Sequence, residues 1–353
     1  MPATKKILPK KNILVTGGAG FIGSHLCDEL VKEHNVICLD DFSSGRLENI
    51  NHLLENPYFE FIKHDISKPI NLDEFNELDK FKVKFQGVQE IYHLAVPTSP
   101  KNFNNMKIKT LKTTSQGVVN ALELTRKYDA KFVLASSVVV YGPRFENAPR
   151  FSEDYQGYVD MVGERSCYDE GKRFSETAVA TYRQVYNLDA KIARIFRTYG
   201  PRLSLFDGHM IPDFVLQALN NKPLIIYGGE KFSTSLCYIS DIIEGLTKFM
   251  KSKELGPLNF GQYEEHKMVD IARKIIEMTN SKSEVVYKDS LVFMSPLGLP
   301  DISLVKDKLG WYPLISLDDG LQRTIEYVRA NQNILQPQLW KYEEEEKGEN
   351  QSE

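Results

Sequence analysis

The chain has 353 residues, 42% of them hydrophobic and 26% charged, with a formal net charge of −4. That length suits one large or two modest domains around a sizeable core. So small a net charge, with no block of Lys and Arg interleaved with aromatics, argues against a nucleic-acid partner, and no apolar run reaches the roughly 18 residues of a membrane span. The amino terminus, MPATKKILPKKNILVTGG, passes from basic residues straight into a short strand-like run, unlike a signal peptide. Cys27, Cys38, Cys167 and Cys237 are scattered, with no Cys-x-x-Cys pair and no His at metal spacing. Free thiols in a reducing compartment, no metal site and a cytoplasmic location are therefore expected.

In chain order, β-rich runs at 12–16 (NILVT), 35–39 (NVICL), 58–62 (YFEFI), 90–95 (EIYHLA), 131–136 (KFVLAS) and 190–196 (AKIARIF) predict strands. Most are nearly continuous apolar runs, as strands covered on both faces require. Segments 22–33, 105–128 and 167–187 read as the helices between them. This alternation predicts an α/β fold, a Rossmann-like doubly wound parallel sheet. Residues 1–200 are assigned mainly to it, with a segment near 236–250 returning to it. Residues 201–335, with helices near 211–220, after 238–241, near 267–279 and near 318–331, read as a smaller C-terminal substrate-binding region. The acidic tail, 336–353, is expected to be disordered.

The stretch ILVTGGAGFIGSHL places Gly17, Gly20 and Gly23 directly after a strand and at the mouth of a helix, with Gly18 completing an alternative Gly-x-Gly-x-x-Gly reading. Such glycines allow a tight turn and let backbone N–H groups approach a pyrophosphate at a helix N-terminus. Asp40 ends the next predicted strand, where a carboxylate accepts the ribose hydroxyls of adenosine and repels a 2′-phosphate, which favours NAD over NADP. Asp41 adds to that repulsion, while Arg46 argues the other way.

RSCYDEGKRFSE carries Tyr168 and Lys172 at i and i+4, on one helix face. A tyrosine with an ordinary pKa of about 10 is a poor base at neutral pH, but a nearby ammonium and a positive nicotinamide both favour its phenolate. Gly171 costs helix stability; a close approach of cofactor or substrate, or simple tolerance, accounts for it. The stretch ASSVVVYGPR (135–144) puts two serines at a strand end and then three valines, where an acid would be expected of a site that moves protons.

The motifs TGGAGFIGSHLCDEL, VICLDDF, IYHLA, RSCYDEGKR, TYGPR and PDISLVKDKLGW together resemble the extended short-chain dehydrogenase/reductase family of nucleotide-sugar enzymes, from about residue 11 to 331. The resemblance implies NAD held through the catalytic cycle and a nucleotide-sugar substrate, UDP-linked or similar. Carbon 4 of the sugar is then oxidised, with Tyr168 as base, Lys172 as its partner and Ser137 bonding the same hydroxyl. It implies cofactor contacts from Gly17, Gly20, Phe21, Ile22, Gly23, Asp40, Asp65 (to the adenine), Ile66, Leu94 and Ala95, together with Tyr168 and Lys172. Apolar positions at helical spacing in 105–128 and 167–187 match the family's homodimer, a four-helix bundle between subunits.

Within the family the overall likeness is to the decarboxylating branch, yet the site departs from it. After Ser137 that branch carries Ser and Glu, whereas this chain has Val138 and Val139. Its Arg two residues before the Pro of an RPDIS-like segment is here Gly298. Arg197 stands where the family has Asn, and Thr234 where it has Arg, so one guanidinium serving the substrate diphosphate is expected to have moved to Arg197, assisted by Arg202 and Lys231. Three readings follow: decarboxylation of a uronate by overall resemblance; 4-epimerisation, because the valines and Gly298 leave an uncharged space; and a catalytically retired NAD-binding regulator, which intact Ser137, Tyr168 and Lys172 oppose.

Overall fold

The computed structural model describes residues 10–99, 103–145, 150–205, 207–291, 297–333 and 335. Its centre is a parallel sheet of seven strands: β1 (Asn12–Thr16), β2 (Asn35–Asp40), β3 (Phe59–Lys63), β4 (Glu90–His93), β5 (Lys131–Ser137), β6 (Ala190–Ile195) and β7 (Leu258–Phe260). The order across the sheet is β7-β6-β5-β4-β1-β2-β3. The chain reverses direction across the sheet after β3, and β1 pairs in register with both neighbours, Leu14 lying beside Ile37 and Ile91. Helices cover both faces: Ile13 and Val15 join one apolar cluster and Leu14 the other. This is why the strands read as continuous apolar runs.

The six expected strands are all present. The seventh, β7, lies inside the stretch assigned to substrate binding and pairs with Ala193–Ile195. Three residues are too few to show a period. The helix Ile239–Lys251 packs against the first helix, α1 (Phe21–Leu30).

The predicted helix at 105–128 proves to be α2 (Phe103–Lys112), a π-helical turn (Thr113–Gly117) and α3 (Val118–Tyr128). Three consecutive hydroxyls bond back to the preceding turn: Thr113 Oγ1 to Lys109 O at 2.9 Å, Thr114 Oγ1 to Thr110 O at 2.8 Å and Ser115 Oγ to Leu111 O at 2.6 Å. Such back-bonding competes with the backbone ladder and loosens the helix locally. Thr114 there meets α4 (Ser166–Tyr186) at Gly171, where a Cβ would fall 2.2 Å from Thr114 Oγ1. Close helix packing, rather than approach of a ligand, explains that glycine. Among the described residues no helix is long and apolar enough to cross a membrane. The acidic tail lies outside the described residues.

Candidate active site

A cleft opens at the carboxyl ends of the central strands, where the strand order reverses. Gly17 leaves β1 with φ +72°, and its N–H donates to Leu39 O at 2.8 Å. A Cβ on Gly17 would lie 2.8 Å from the Ala95 backbone, and one on Gly23 would lie 2.1 Å from Gly17 O, so neither position admits a side chain. Gly20 differs. The only described atom a Cβ there would meet is Gly17 O at 3.1 Å, and the residue borders the cleft. Its bareness leaves the mouth of α1 open to a pyrophosphate.

Asp40 sits at the end of β2. Its Oδ2 accepts the Ala19 N–H at 3.0 Å and its Oδ1 the Phe42 N–H at 2.8 Å. Burial raises its pKa, and these two N–H groups oppose that shift. A buried carboxylate with accepting capacity left suits a ribose diol, so the turn and acid fit NAD. Phe21, Ile22, Asp65, Ile66, Leu94 and Ala95 all line the same cleft.

Asp41 is not the bare repelling charge that the sequence suggested. Lys109 on α2 bridges it to Asp65, at 2.7 Å on the Asp65 side. Burial pushes Asp65 up, but Lys109 and Ser67 outweigh it and hold the carboxyl at about 2. Lys109 itself was not visible in advance. It lies in a helix that also carries Lys107 and Lys112, and only tertiary placement singles it out.

Deeper in the cleft α4 faces the end of β5. The Tyr168 hydroxyl is hydrogen-bonded to Ser137, and Lys172 Nζ donates to Ala135 O at 2.7 Å. The i, i+4 spacing thus delivers both side chains to one three-residue strand end. Burial raises the Tyr168 pKa, against the hydrogen bond from Ser137. Burial lowers Lys172 to about 8, with the Glu176 carboxylate opposing. His93 at the end of β4 bonds Thr16 Oγ1 through Nδ1 at 2.8 Å; burial, then Lys172, pull it to about 3, so the ring is neutral.

The valines do not line an empty space. After Ser137 the chain makes a single 3₁₀ turn, Val138–Tyr141, in which every side chain is buried. Val138 packs with Tyr141, Phe151 and Phe196, and Val139 with Phe103 and Tyr168. Gly298 touches Phe151.

The expected substrate residues part company. Arg197 stands over the Phe232 ring at 5.6 Å, two residues from Thr234. Burial, then the nearby Arg165, lower its pKa to about 10, and its Nε is buried without a hydrogen-bond partner among the described residues. Arg202 instead turns to α1, where Nη2 pairs with Asp28 Oδ2 at 2.7 Å. Lys231 is exposed on a turn. None of Arg197, Arg202 and Lys231 borders the cleft, although Phe196 and Thr198 on either side of Arg197 do, so the structure does not bring these three side chains to Ser137, Tyr168 and Lys172.

A glycine turn feeding a Tyr-Lys pair at a switch point defines a nicotinamide-dependent enzyme, and comparison with known proteins makes the class specific. Residues 13–261 match the NAD dependent epimerase/dehydratase family, to which the chain belongs. It is 41% identical over 318 residues to UDP-glucuronic acid decarboxylase 1 of Arabidopsis thaliana, covering 90% of this chain and 69% of that protein. Among solved structures, UDP-glucose 4-epimerase of Thermotoga maritima with UDP-glucose superposes with a TM-score of 0.79 at 27% identity, covering 91% of this chain and 99% of that one. UDP-glucuronic acid 4-epimerase of Bacillus cereus in complex with UDP-glucuronic acid and NAD gives 0.76 at 28% identity, covering 90% and 99%. The chain is an NAD-dependent enzyme of this family, which sets aside the retired regulator.

Proposed function

We propose that the protein decarboxylates UDP-glucuronate after oxidising carbon 4 of the sugar. The observation that carries the reading is the Ser137–Tyr168 hydrogen bond above Lys172, at the inner end of a dinucleotide cleft. The choice of decarboxylation rests on the similarity to the Arabidopsis protein along 90% of the chain.

NAD, when bound, supplies acceptance and return of a hydride at carbon 4. Tyr168 takes the proton of the carbon 4 hydroxyl, Ser137 bonds the same oxygen, and the Lys172 ammonium favours the phenolate. A ketone at carbon 4 makes the carbon 6 carboxylate a β-keto acid, which loses carbon dioxide without an enzymic acid. The negative charge left behind resides on oxygen 4, where the Tyr168 and Ser137 hydroxyls donate to it. Neither valine can donate the proton that carbon 5 then needs, so that proton is drawn from water. Arg197, whose Nε is buried without a hydrogen-bond partner among the described residues and which lies between Phe196 and Thr198 of the cleft wall, is the guanidinium assigned to the substrate diphosphate in this reading.

A second reading, 4-epimerisation, shares the oxidation and needs no acid at carbon 5, so Val138 and Val139 are compatible with it, but both side chains are packed in apolar clusters rather than bordering the cleft. Either enzyme would act as a homodimer through α2–α3 and α4, whose Ile108, Leu111, Phe174, Val185 and Tyr186 are exposed large apolar residues. The free thiols of Cys27, Cys38, Cys167 and Cys237 suit a reducing cytoplasm. The test is turnover: UDP-glucuronate incubated with NAD-loaded protein should yield a UDP-pentose and carbon dioxide, an inverted uronate would favour the second reading, and unchanged substrate would reject both.

A further inference from the structure

Four residues beyond Lys172, α4 carries Glu176, so Tyr168, Lys172 and Glu176 lie at i, i+4 and i+8 along one helix face. The Glu176 side chain is 13% exposed and is gripped from two sides. Arg194 on β6 pairs with both its oxygens, Nη2 to Oε2 at 2.7 Å and Nε to Oε1 at 3.0 Å. Ser136 Oγ donates to Oε1 at 2.5 Å. Ser136 is the residue between Ala135, whose carbonyl receives Lys172, and Ser137, which bonds Tyr168. The carboxylate is therefore tied to the strand end that carries both catalytic contacts. Arg194 extends the frame, donating from Nη1 to Tyr141 Oη at 2.8 Å and to Glu153 O at 3.0 Å. Tyr141 Oη donates in turn to Asn259 Oδ1 at 2.7 Å. A buried ion pair is weak evidence for stability, because desolvation offsets its attraction. Its place beside the lysine calls for another account.

We propose that Glu176 is a positioning residue for the reaction: clamped by Arg194 and bonded by Ser136, it fixes the strand end whose Ala135 carbonyl receives Lys172 and whose Ser137 bonds Tyr168. This rests on the reading of Tyr168 and Lys172 as the catalytic pair. The groups facing Lys172 are Ala135 O from β5, Tyr168 and Glu176 from its own helix, and neutral His93 from β4. Glu176 is the one that opposes the lowering by burial. The groups facing Glu176 are Ser136, Arg194 and, from α4 itself, Arg183 and Lys172. Removing the carboxylate lowers the lysine pKa further, so the ammonium is lost at lower pH and the basic limb of the rate profile moves down with it.

The experiment measures the rate of nicotinamide reduction by UDP-glucuronate against pH, with NAD affinity as the check on folding. Glu176→Gln keeps the shape and removes the charge. A double variant, Glu176→Gln with Arg194→Met, avoids leaving a buried guanidinium unpaired. Both variants should bind NAD; Glu176→Gln should shift the basic limb down by about one pH unit, which is a tenfold loss on that limb, and the double variant, which removes charges of both signs, should shift it in the same direction by less. A wild-type limb in an NAD-binding variant overturns the proposal, as does failure of both variants to bind NAD, which would make the residue structural. Tyr168→Phe, run in parallel, separates the two claims: if it stays active, the catalytic reading itself has failed.

Discussion

Gly298 lies against Phe151 so closely that a Cβ on the glycine would fall 2.2 Å from the ring carbon Cε2. Phe151 is itself buried in the cluster that holds Val138. The arginine expected here from the decarboxylating branch therefore cannot be restored by one substitution. Gly298→Arg should destabilise the protein by roughly 1–3 kcal/mol through overpacking, read as a lower denaturant midpoint. A variant as stable as its parent would show that the ring moves aside at little cost.

Tyr168→Phe should leave NAD bound and reduce turnover by about 10²–10⁴-fold, the range of a lost general base. Cofactor affinity rests on the glycine turn and Asp40, whereas the phenol is needed for the proton. Turnover close to the parent's would mean that another group takes the proton.

Lys109→Met probes the bridge between Asp41 and Asp65. The folded pKa of Asp65, about 2, is depressed, so its contribution is present above the ordinary carboxylate value and is lost as pH falls toward 2. The variant should be less stable near neutrality by about 1 kcal/mol, with part-exposure screening the pair. The deficit should narrow between about pH 4 and pH 2 as the parent loses the same contribution. Denaturant unfolding at neutral and acid pH measures this, and a constant deficit would assign the loss to packing.

Ile108→Glu combined with Val185→Glu should yield a monomer that still binds NAD, because both side chains are about two-thirds exposed, at 66% and 64%. Sedimentation at micromolar concentration reads the outcome. A parent that is already monomeric would remove the proposed bundle.

Much of the fold was legible because the strands from β1 to β6 are four to seven residues long and most are nearly continuous apolar runs, and the glycine turn, Asp40 and the i, i+4 pair follow local geometry. What was not legible depends on distant partners. The π turn at 113–117 needs three hydroxyls bonding backward, Gly171 owes its identity to Thr114, and Lys109 acquires meaning only from two acids on other strands' loops. Arg202 closes the TYGPR motif in sequence, but Asp28 on α1 claims its guanidinium. Glu176 stood in plain sight at i+8; its role depends on Ser136 and Arg194 converging from two strands.

The most direct test of the central claim is to incubate the NAD-loaded protein with UDP-glucuronate labelled in its carboxyl carbon and follow the label. Decarboxylation predicts labelled carbon dioxide and a UDP-pentose whose NMR spectrum shows two hydrogens on carbon 5. Retention of the label in a uronate inverted at carbon 4 would contradict it and assign the protein to epimerisation.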